Sequence, residues 1–231
     1  MLVGRAVTAA FVPMRPDFHD AMIAQGKSEG WEGGQHKWVI DQMVEHDVFV
    51  VDLFGKIKQG TIVGGNLATL IHARTKDGGL VVDGAVRDLQ QIEEIEGLQV
   101  YRRGEDPTGI REVTMIGANI PVMVDGAVCM PGDVVFGTSE GILFVPPQYV
   151  ERGVIFAEKT KVRDIFGFTR LKEGKYTGAQ IDGLWAPEIW DDFLDWFKNS
   201  GNEEIAEYSY LDYTEDLEKA KQMWEEQHKK A

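Results

Sequence analysis

Residues 78–92, GGLVVDGAVRDLQQI, change abruptly from an apolar run to charged and polar residues. The run Leu80–Val86 has the composition of a buried strand, and the residues after it have helical spacing. Arg87 and Asp88 stand together where the strand is expected to end. Residue chemistry alone leaves two interpretations open: a solvated ion pair that closes a turn, or a site for a charged ligand at a strand end.

The residues on both sides of this strand predict an alternating α/β fold. Strands are predicted at 6–12, 48–53, 80–86 and 98–103, with helices at 39–46, 66–74 and 88–97 and a Gly-rich loop after residue 54. From residue 48 to residue 103, strands and helices therefore alternate. This order favours parallel strand pairing with right-handed crossovers.

The second half of the chain has a different pattern. Short β runs broken by Gly, Pro and Asp fill residues 111–147 and predict a mainly β layer. An amphipathic helix is predicted at 148–168, and two acidic helices rich in aromatic residues are predicted at 187–199 and 216–230. We expect the Trp and Phe side chains of these helices to pack inward and the acids to face water.

Composition limits the classes of function. The chain has 231 residues, a formal net charge of −14 and a single cysteine, Cys129, which lies in an apolar run and is expected to be a core residue. The negative charge argues against nucleic-acid binding, because phosphate contacts need clustered Lys and Arg. We see neither an apolar run long enough to cross a membrane nor a secretory signal, so a cytoplasmic location is expected.

Two features are expected to meet at one edge of the sheet. The stretch GGNLA, Gly64–Ala68, begins a helix, where backbone N–H groups favour an anion, although such a stretch also suits a plain turn. Arg87 at the neighbouring strand end can bind a carboxylate through two hydrogen bonds. Asp88 offers a hard oxygen ligand to an ion such as Mg²⁺, which would stabilise an enolate. These groups suit carbon–carbon cleavage next to a pyruvate unit.

The segment GGNLATLIHARTKDGGLVVDGAVRDLQQI closely resembles the core motif of the RraA-like family. That family includes class II 4-hydroxy-4-methyl-2-oxoglutarate aldolases and the regulator of ribonuclease activity A. The likeness covers about residues 3–165, and we expect a core domain at 1–170 and an acidic helical extension at 171–231. The resemblance implies a three-layer α/β/β sandwich of the swivelling-domain-like type. It also implies homo-oligomers, trimers or hexamers, with active sites between subunits.

The resemblance also implies roles for individual residues. Arg87 looks like the catalytic arginine that holds the pyruvyl carboxylate and stabilises its enolate, and Asp88 looks like the direct Mg²⁺ or Mn²⁺ ligand. The residues Gly64, Gly65, Asn66 and Leu67 resemble the loop whose amides bind the substrate. The aldolases also use an acid from a neighbouring subunit, for which Glu158 and Asp164 are the candidates here.

The sequence departs from the aldolase pattern at one position. Where the aldolase loop usually has an acid after its glycine, this chain has Gly65, and the amide of Asn66 can supply oxygen but no charge. The regulator branch typically lacks the aspartate after the arginine, so Asp88 favours an enzyme.

Three functions stay open. The first is a metal-dependent lyase that releases pyruvate from a 4-hydroxy-2-oxo acid or decarboxylates oxaloacetate. The second is a non-catalytic regulator that binds a ribonuclease-type protein, and the third is a related lyase or dehydratase acting on sugar acids.

Overall fold

The chain forms two compact units, residues 1–150 and 151–231, and a computed structural model describes residues 1–228. Each unit has hydrophobic core residues of its own. The sequence-based division at residue 170 differs from this unit boundary, and the division into a core domain and an extension stays a prediction.

The first unit combines strands with short helices. The strands are β1 (Leu2–Pro13), β2 (Asp47–Val63), β3 (Gly79–Val86), β4 (Gln99–Glu105), β5 (Val113–Ala118), β6 (Val122–Val124), β7 (Ala127–Cys129), β8 (Val134–Thr138) and β9 (Gly141–Val145). The helices are α1 (Pro16–Ser28), α2 (Gln35–Ile40), α3 (Gly65–Thr75) and α4 (Leu89–Glu93), and a 3₁₀ turn spans Pro147–Tyr149.

The first unit is built on a mixed sheet with the strand order β4-β3-β2-β1-β8-β9, and β5 also pairs with β1. Strands β1 to β4 pair in parallel, whereas β5, β8 and β9 pair antiparallel. Helices α2 to α4 contribute to the apolar core on one face, and the β6–β7 hairpin contributes to the core on the other. The three-layer α/β fold that the sequence predicts is confirmed.

The apolar residues of the central strands serve both faces of the sheet. On β2, Phe49 and Val51 belong to the core under the helices, whereas Val48 and Val50 belong to the core under the hairpin. Side chains alternate between faces along a strand, so a strand covered on both sides needs a continuous apolar run. Strand β3 is buried at every residue, which explains the run that ends at Val86.

The helix predicted at residues 39–46 is wrong. Helix α2 ends at Ile40, and the residues after it form turns before β2 begins. Oδ2 of Asp47 accepts a hydrogen bond of 2.8 Å from the backbone N–H of Val44, and His46 has a left-handed φ of 68°. A buried carboxylate thus holds this segment in a turn, against its helical spacing.

The Gly-rich loop predicted after residue 54 is also wrong, because β2 continues to Val63. The strand bulges away from β3 after Asp52 and returns to pair Val63 with Val86. Gly55 and Gln59 have left-handed φ angles of 70° and 55° within the bulged part. The bulge therefore brings the end of β2 level with the end of β3.

The second unit is helical. It contains α5 (Val150–Lys172), α6 (Gly178–Asp182), α7 (Pro187–Asn199), α8 (Glu203–Ala206) and α9 (Thr214–His228). Its core is largely aromatic, with Phe193 fully buried and ring centroids of Phe166 and Tyr213 at 5.4 and 4.8 Å from it. The helical character predicted for the C-terminal region is confirmed up to residue 228, and residues 229–231 of the predicted extension lie outside the described part of the chain. Within residues 1–228, no helix is long and apolar enough to cross a membrane.

Candidate functional site

The candidate site lies where β2 and β3 end side by side. Val63 and Val86 are paired, and the backbone N–H of Arg87 donates a 3.1 Å hydrogen bond to the carbonyl of Val63. Gly64 directly follows β2 and Arg87 directly follows β3, so the two residues lie side by side at the same edge of the sheet. This adjacency at the carboxyl ends of parallel strands is where α/β sheets bind ligands.

A cavity of about 270 Å³ opens between these two chain segments. Its lining consists of Gly64, Asn66, Leu67, Arg87, Asp88 and Gln91. Five of these residues are sequence-predicted, and Gly65 joins them through a backbone hydrogen bond to Asp88. The structure thus brings the Gly64–Leu67 loop and the Arg87–Asp88 pair to one place.

Asp88 connects the strand end to the helix start. It has a left-handed φ of 58°, and its Oδ2 accepts hydrogen bonds from the backbone N–H of Gly65 at 3.1 Å and from Nε of Arg87 at 3.3 Å. The carboxylate therefore caps α3 from another element, as an N-terminal acid would. The side chains of Arg87 and Asp88 are 37% and 39% exposed, so both are accessible to a ligand.

Glycine is required at position 64 because the backbone there lies very close to the side chains of Arg87 and Asp88. Its φ of −122° is ordinary for any residue, but a Cβ at this position would lie 2.8 Å from Nε of Arg87 and against Oδ2 of Asp88. The glycine thus lets the backbone lie directly beside both charged groups. In the first turn that follows, the N–H groups of Asn66 and Leu67 have no intrahelical acceptor and are available to an anion.

Gln91 also belongs to this site, although it was not predicted from the sequence. This residue lies on α4, three positions after Asp88, and its side chain lines the same cavity and packs over Gly65. No local pattern identifies it, because Asp88 precedes α4 with a left-handed φ and Gln91 reaches the site only by packing over Gly65.

His36 is a second residue that sequence reasoning did not connect with this site. Burial, followed by the positive charges of Lys37 and Arg87, lowers the pKa of His36 from 6.5 to about 4. The half-buried imidazole is therefore neutral at pH 7 and lies within the electrostatic reach of Arg87.

The oxygen donors of the cavity are few. Among residues 1–228, no group of three or more His, Cys, Asp and Glu side chains is arranged to hold a metal ion. On the described lining Asp88 is the one carboxylate, and Asn66 and Gln91 add carboxamide oxygens. The cavity thus pairs one positive and one negative side chain with neutral donors.

The two candidate partner-subunit acids lie on α5 in the second unit. Glu158 accepts a hydrogen bond from the hydroxyl of Tyr210, and Asp164 lines a separate groove with Phe168 and Lys172. Their assignment to a neighbouring subunit's site stays a prediction.

Two other polar groups have structural partners. Asp83, buried on β3, pairs with Arg103, which also donates a 2.8 Å hydrogen bond to Asp125. Cys129 is fully buried, and burial followed by the charge of Asp133 raises the pKa of its thiol to about 12. This thiol therefore stays protonated and is not a nucleophile.

Two proteins match parts of the chain in sequence. DlpA of Legionella pneumophila is 32% identical over 116 residues, which cover 50% of this chain but only 18% of DlpA. A protein of Halalkalibacterium halodurans provisionally named 4-hydroxy-4-methyl-2-oxoglutarate aldolase is 25% identical over 164 residues, covering 68% of this chain and 74% of that protein. The chain therefore spans less than a fifth of DlpA.

A solved structure and the family comparison agree on the fold. The crystal structure of Streptomyces coelicolor RraAS2, described as an unusual member of the RNase ES inhibitor RraA protein family, has a TM-score of 0.56 at 23% identity. The match covers 73% of this chain and 77% of RraAS2, and at this identity it shows the fold alone. The RraA-like family, described as Aldolase/RraA, matches residues 1–144. The chain belongs to the RraA-like family.

Proposed function

We propose that this protein is a divalent-metal-dependent carbon–carbon lyase that acts on a 2-oxo acid through a pyruvate-type enolate. Its reactions would be retro-aldol cleavage of a 4-hydroxy-2-oxo acid, decarboxylation of oxaloacetate, or both. One observation carries the proposal: the guanidinium of Arg87, the carboxylate of Asp88 and the first turn of α3 line one cavity. The provisional aldolase name of the Halalkalibacterium halodurans relative supports the same reaction class.

The residues around Asp88 fit a Mg²⁺ or Mn²⁺ ion that keeps most of its water. Both hydrogen bonds to the carboxylate reach Oδ2, and within residues 1–228 no donor is bonded to Oδ1. Mg²⁺ is commonly held by one or two carboxylates, with water and substrate oxygens as its other ligands. Asp88 would hold the ion, and the carboxamides of Asn66 and Gln91 add hard oxygens nearby. A bound ion would supply Lewis-acid polarisation of the keto group.

The chain's own residues would bind and orient the acid. The guanidinium of Arg87 would hold the substrate carboxylate through two parallel hydrogen bonds, because its planar shape matches a carboxylate. The backbone N–H groups of Asn66 and Leu67 would donate to the remaining oxygens. Arg87 would also stabilise the negative charge that develops as the carbon–carbon bond breaks. A cavity of about 270 Å³ suits a small acid rather than a nucleotide or a larger cofactor.

The decisive experiment is a pyruvate-release assay on the full chain. Purified protein is given 4-hydroxy-2-oxo acids and oxaloacetate with Mg²⁺ or Mn²⁺, and pyruvate is followed by a coupled dehydrogenase. We expect release that stops when a chelator is added and returns with excess metal. If pyruvate is released from none of these substrates, the proposal is wrong.

A second candidate is suggested by Gly65, which removes the usual loop acid and leaves a neutral segment. A related lyase or dehydratase acting on sugar acids would accept such a change, and a panel of sugar acids separates the two reactions. If only short oxo acids react, the second candidate fails. Capture of a ribonuclease-type partner by a protein without turnover would instead favour the regulator.

The proposal also includes a cytoplasmic homo-oligomer, a trimer or a hexamer. An acid on α5 of a neighbouring subunit, Glu158 or Asp164, would then complete the site. Light scattering of the purified protein measures the subunit number. A monomer that retains full turnover would contradict this part of the proposal.

A further inference from the structure

Gly65 and Gln91 share one space. A Cβ on Gly65 would lie against Oε1 of Gln91 and 3.1 Å from both Cβ and Cδ of that side chain. Gln91 therefore packs directly over the first residue of α3. A side chain at position 65 and the present position of Gln91 exclude each other.

The backbone does not require glycine at this position. Gly65 is the first helical residue of α3, outside the left-handed region that favours glycine. Glycine is a poor helix residue, because it loses more conformational freedom on folding than alanine does. The contact that distinguishes Gly65 is the one with Gln91, so the glycine makes room for that carboxamide.

The position of Gln91 gives this contact a chemical meaning. The residue is three positions after Asp88, and both side chains line the cavity. A carboxamide oxygen is a hard, neutral ligand that Mg²⁺ and Mn²⁺ accept, either directly or through a water. Gln91 thus brings an oxygen donor from α4 to the cavity that Asp88 also lines, without adding charge.

We propose that Gln91 is a further ligand-binding residue of this site, whose carboxamide oxygen binds the divalent ion together with Asp88. The side chain of Gln91 occupies the space that any side chain at position 65 would need. The inference rests on the proposed function, because it takes the ion to be held at Asp88. It goes further in assigning a ligand from α4, which adds an oxygen to this chain's own part of the site without adding charge.

Mn²⁺ binding to the full chain tests the assignment without any assay of activity. Free Mn²⁺ is measured by electron paramagnetic resonance during titration of the wild type and of each variant. We expect Gln91→Ala to weaken binding several-fold, and Gln91→Glu to tighten it about tenfold, because a second carboxylate raises the affinity of a hard-cation site. Gln90→Glu is the matched control, since Gln90 is the exposed neighbour on α4 and does not line the cavity. Its added charge acts only from a distance, and we expect a change within about twofold.

A double-mutant cycle tests the shared space. Gly65→Ala should displace Gln91 and weaken Mn²⁺ binding about as much as Gln91→Ala does, and the double variant should show no further loss. Gly178→Ala is the control, because Gly178 also begins a helix but no described atom lies within 4 Å of a Cβ built there.

The outcomes separate the inference from the proposed function. If Asp88→Asn loses Mn²⁺ while both Gln91 variants bind like the wild type, Gln91 is not a ligand and the metal proposal stands. An equal gain in Gln91→Glu and Gln90→Glu also overturns the assignment, because the effect would then be long-range charge. If Asp88→Asn binds Mn²⁺ as tightly as the wild type, the metal site of the proposed function itself fails.

Discussion

Arg87 and Asp88 differ from an ordinary surface ion pair in what surrounds them. An exposed pair gains little, because water screens the charges and two side chains lose freedom. Here the Asp88 carboxylate also caps α3 through Gly65, and Gly64 leaves the space in which Nε of Arg87 lies. Several local features thus hold the pair at a cavity, which favours the ligand-site interpretation over a solvated turn.

Removal of the guanidinium tests the role of Arg87. We expect Arg87→Ala to lower kcat/KM for pyruvate release by about 10²–10³-fold, because the carboxylate and the developing charge lose their partner. Arg87→Lys should recover only part of this, since an ammonium lacks the planar fork. Arg74→Ala is the control, because Arg74 makes only a 3.7 Å surface ion pair with Asp41. Full activity in Arg87→Ala contradicts the proposed role.

A methyl group at Gly64 tests the close approach. We expect Gly64→Ala to lower kcat/KM at least about tenfold with little change in thermal stability, because the backbone conformation suits alanine while Arg87 and Asp88 are displaced. Gly153→Ala is the control, since no described atom is within 4 Å of a Cβ built there. An unchanged kcat/KM in Gly64→Ala would show that the close approach of Gly64 to Arg87 and Asp88 does not affect the reaction.

His36 predicts a pH dependence of stability. Its pKa is lowered to about 4 by burial and then by Lys37 and Arg87, whereas the unfolded chain has an ordinary value near 6.5. Between these pH values the unfolded chain binds a proton that the folded chain does not, so stability falls as the pH drops from about 6.5 to about 4. We expect His36→Gln to reduce this loss by about 1–3 kcal/mol in urea unfolding at pH 7 and pH 4.5. If the free energy of unfolding changes equally with pH in the wild type and in His36→Gln, this prediction is wrong.

At the scale of elements, the sequence predicts the buried strands best. The apolar runs of β2 and β3 are covered on both faces, so their composition alone marks them. The continuation of β2 from Lys56 to Val63 was missed because polar residues and Gly60 interrupt its apolar pattern, and pairing with β3 keeps this part in the sheet. The helix expected at 88–97 is shorter in the structure, where α4 ends at Glu93.

The residues of the candidate site could likewise be predicted only in part. Arg87 and Asp88 could be identified because they follow a strand that the sequence predicts, and Gly64 because it belongs to the GGNLA stretch that is predicted to begin a helix. Gln91 and His36 could not, since one depends on packing over Gly65 and the lowered pKa of the other depends on burial and then on the charges of Lys37 and Arg87. Contacts between distant segments carry no local sequence pattern.

Asp47 is the first residue of β2, and we expect its substitution to lower the stability of the protein. Its side chain is 2% exposed and accepts hydrogen bonds from Nε and Nη2 of Arg5 at 2.9 and 2.7 Å and from the N–H of Val44 at 2.8 Å. We expect Asp47→Ala to lower the free energy of unfolding by about 2–4 kcal/mol, because these donors lose their acceptor. Urea denaturation measures it, with the exposed Asp77→Ala as the control, expected to cost under about 1 kcal/mol. Equal costs for the two variants would contradict this assignment.

At the scale of the whole molecule, the two units are stabilised by different kinds of core. The first unit packs mainly aliphatic side chains on the two faces of its sheet, and the second packs a cluster of aromatic rings. The acidic residues of the helical unit lie largely on its surface, with exceptions such as Asp192, which accepts hydrogen bonds from Arg170 and Lys175. The net charge of −14 is thus compatible with a well-packed interior.

Phe193 is the centre of the aromatic core and predicts the stability of the second unit. It is fully buried and contacts rings that include Phe166, Trp185 and Tyr213. We expect Phe193→Ala to destabilise this unit by about 3–5 kcal/mol through lost burial and a cavity. Phe168→Ala is the control, because that ring is 60% exposed and should cost under about 1 kcal/mol. Scanning calorimetry measures both, and a similar cost for the two variants would rule out a central role for Phe193.

The aromatic core also gives the molecule an optical signature. The rings of Trp185 and Trp190 have centroids 5.2 Å apart at an angle of 62°, and the guanidinium of Arg163 lies 4.3 Å from the centroid of the Trp185 ring. Two indoles so close and inclined couple their excited states, which yields a paired positive and negative band in circular dichroism. Light absorbed by either ring is shared between both before emission. The second unit therefore carries its own chromophore pair, with which its folding can be observed separately from that of the sheet.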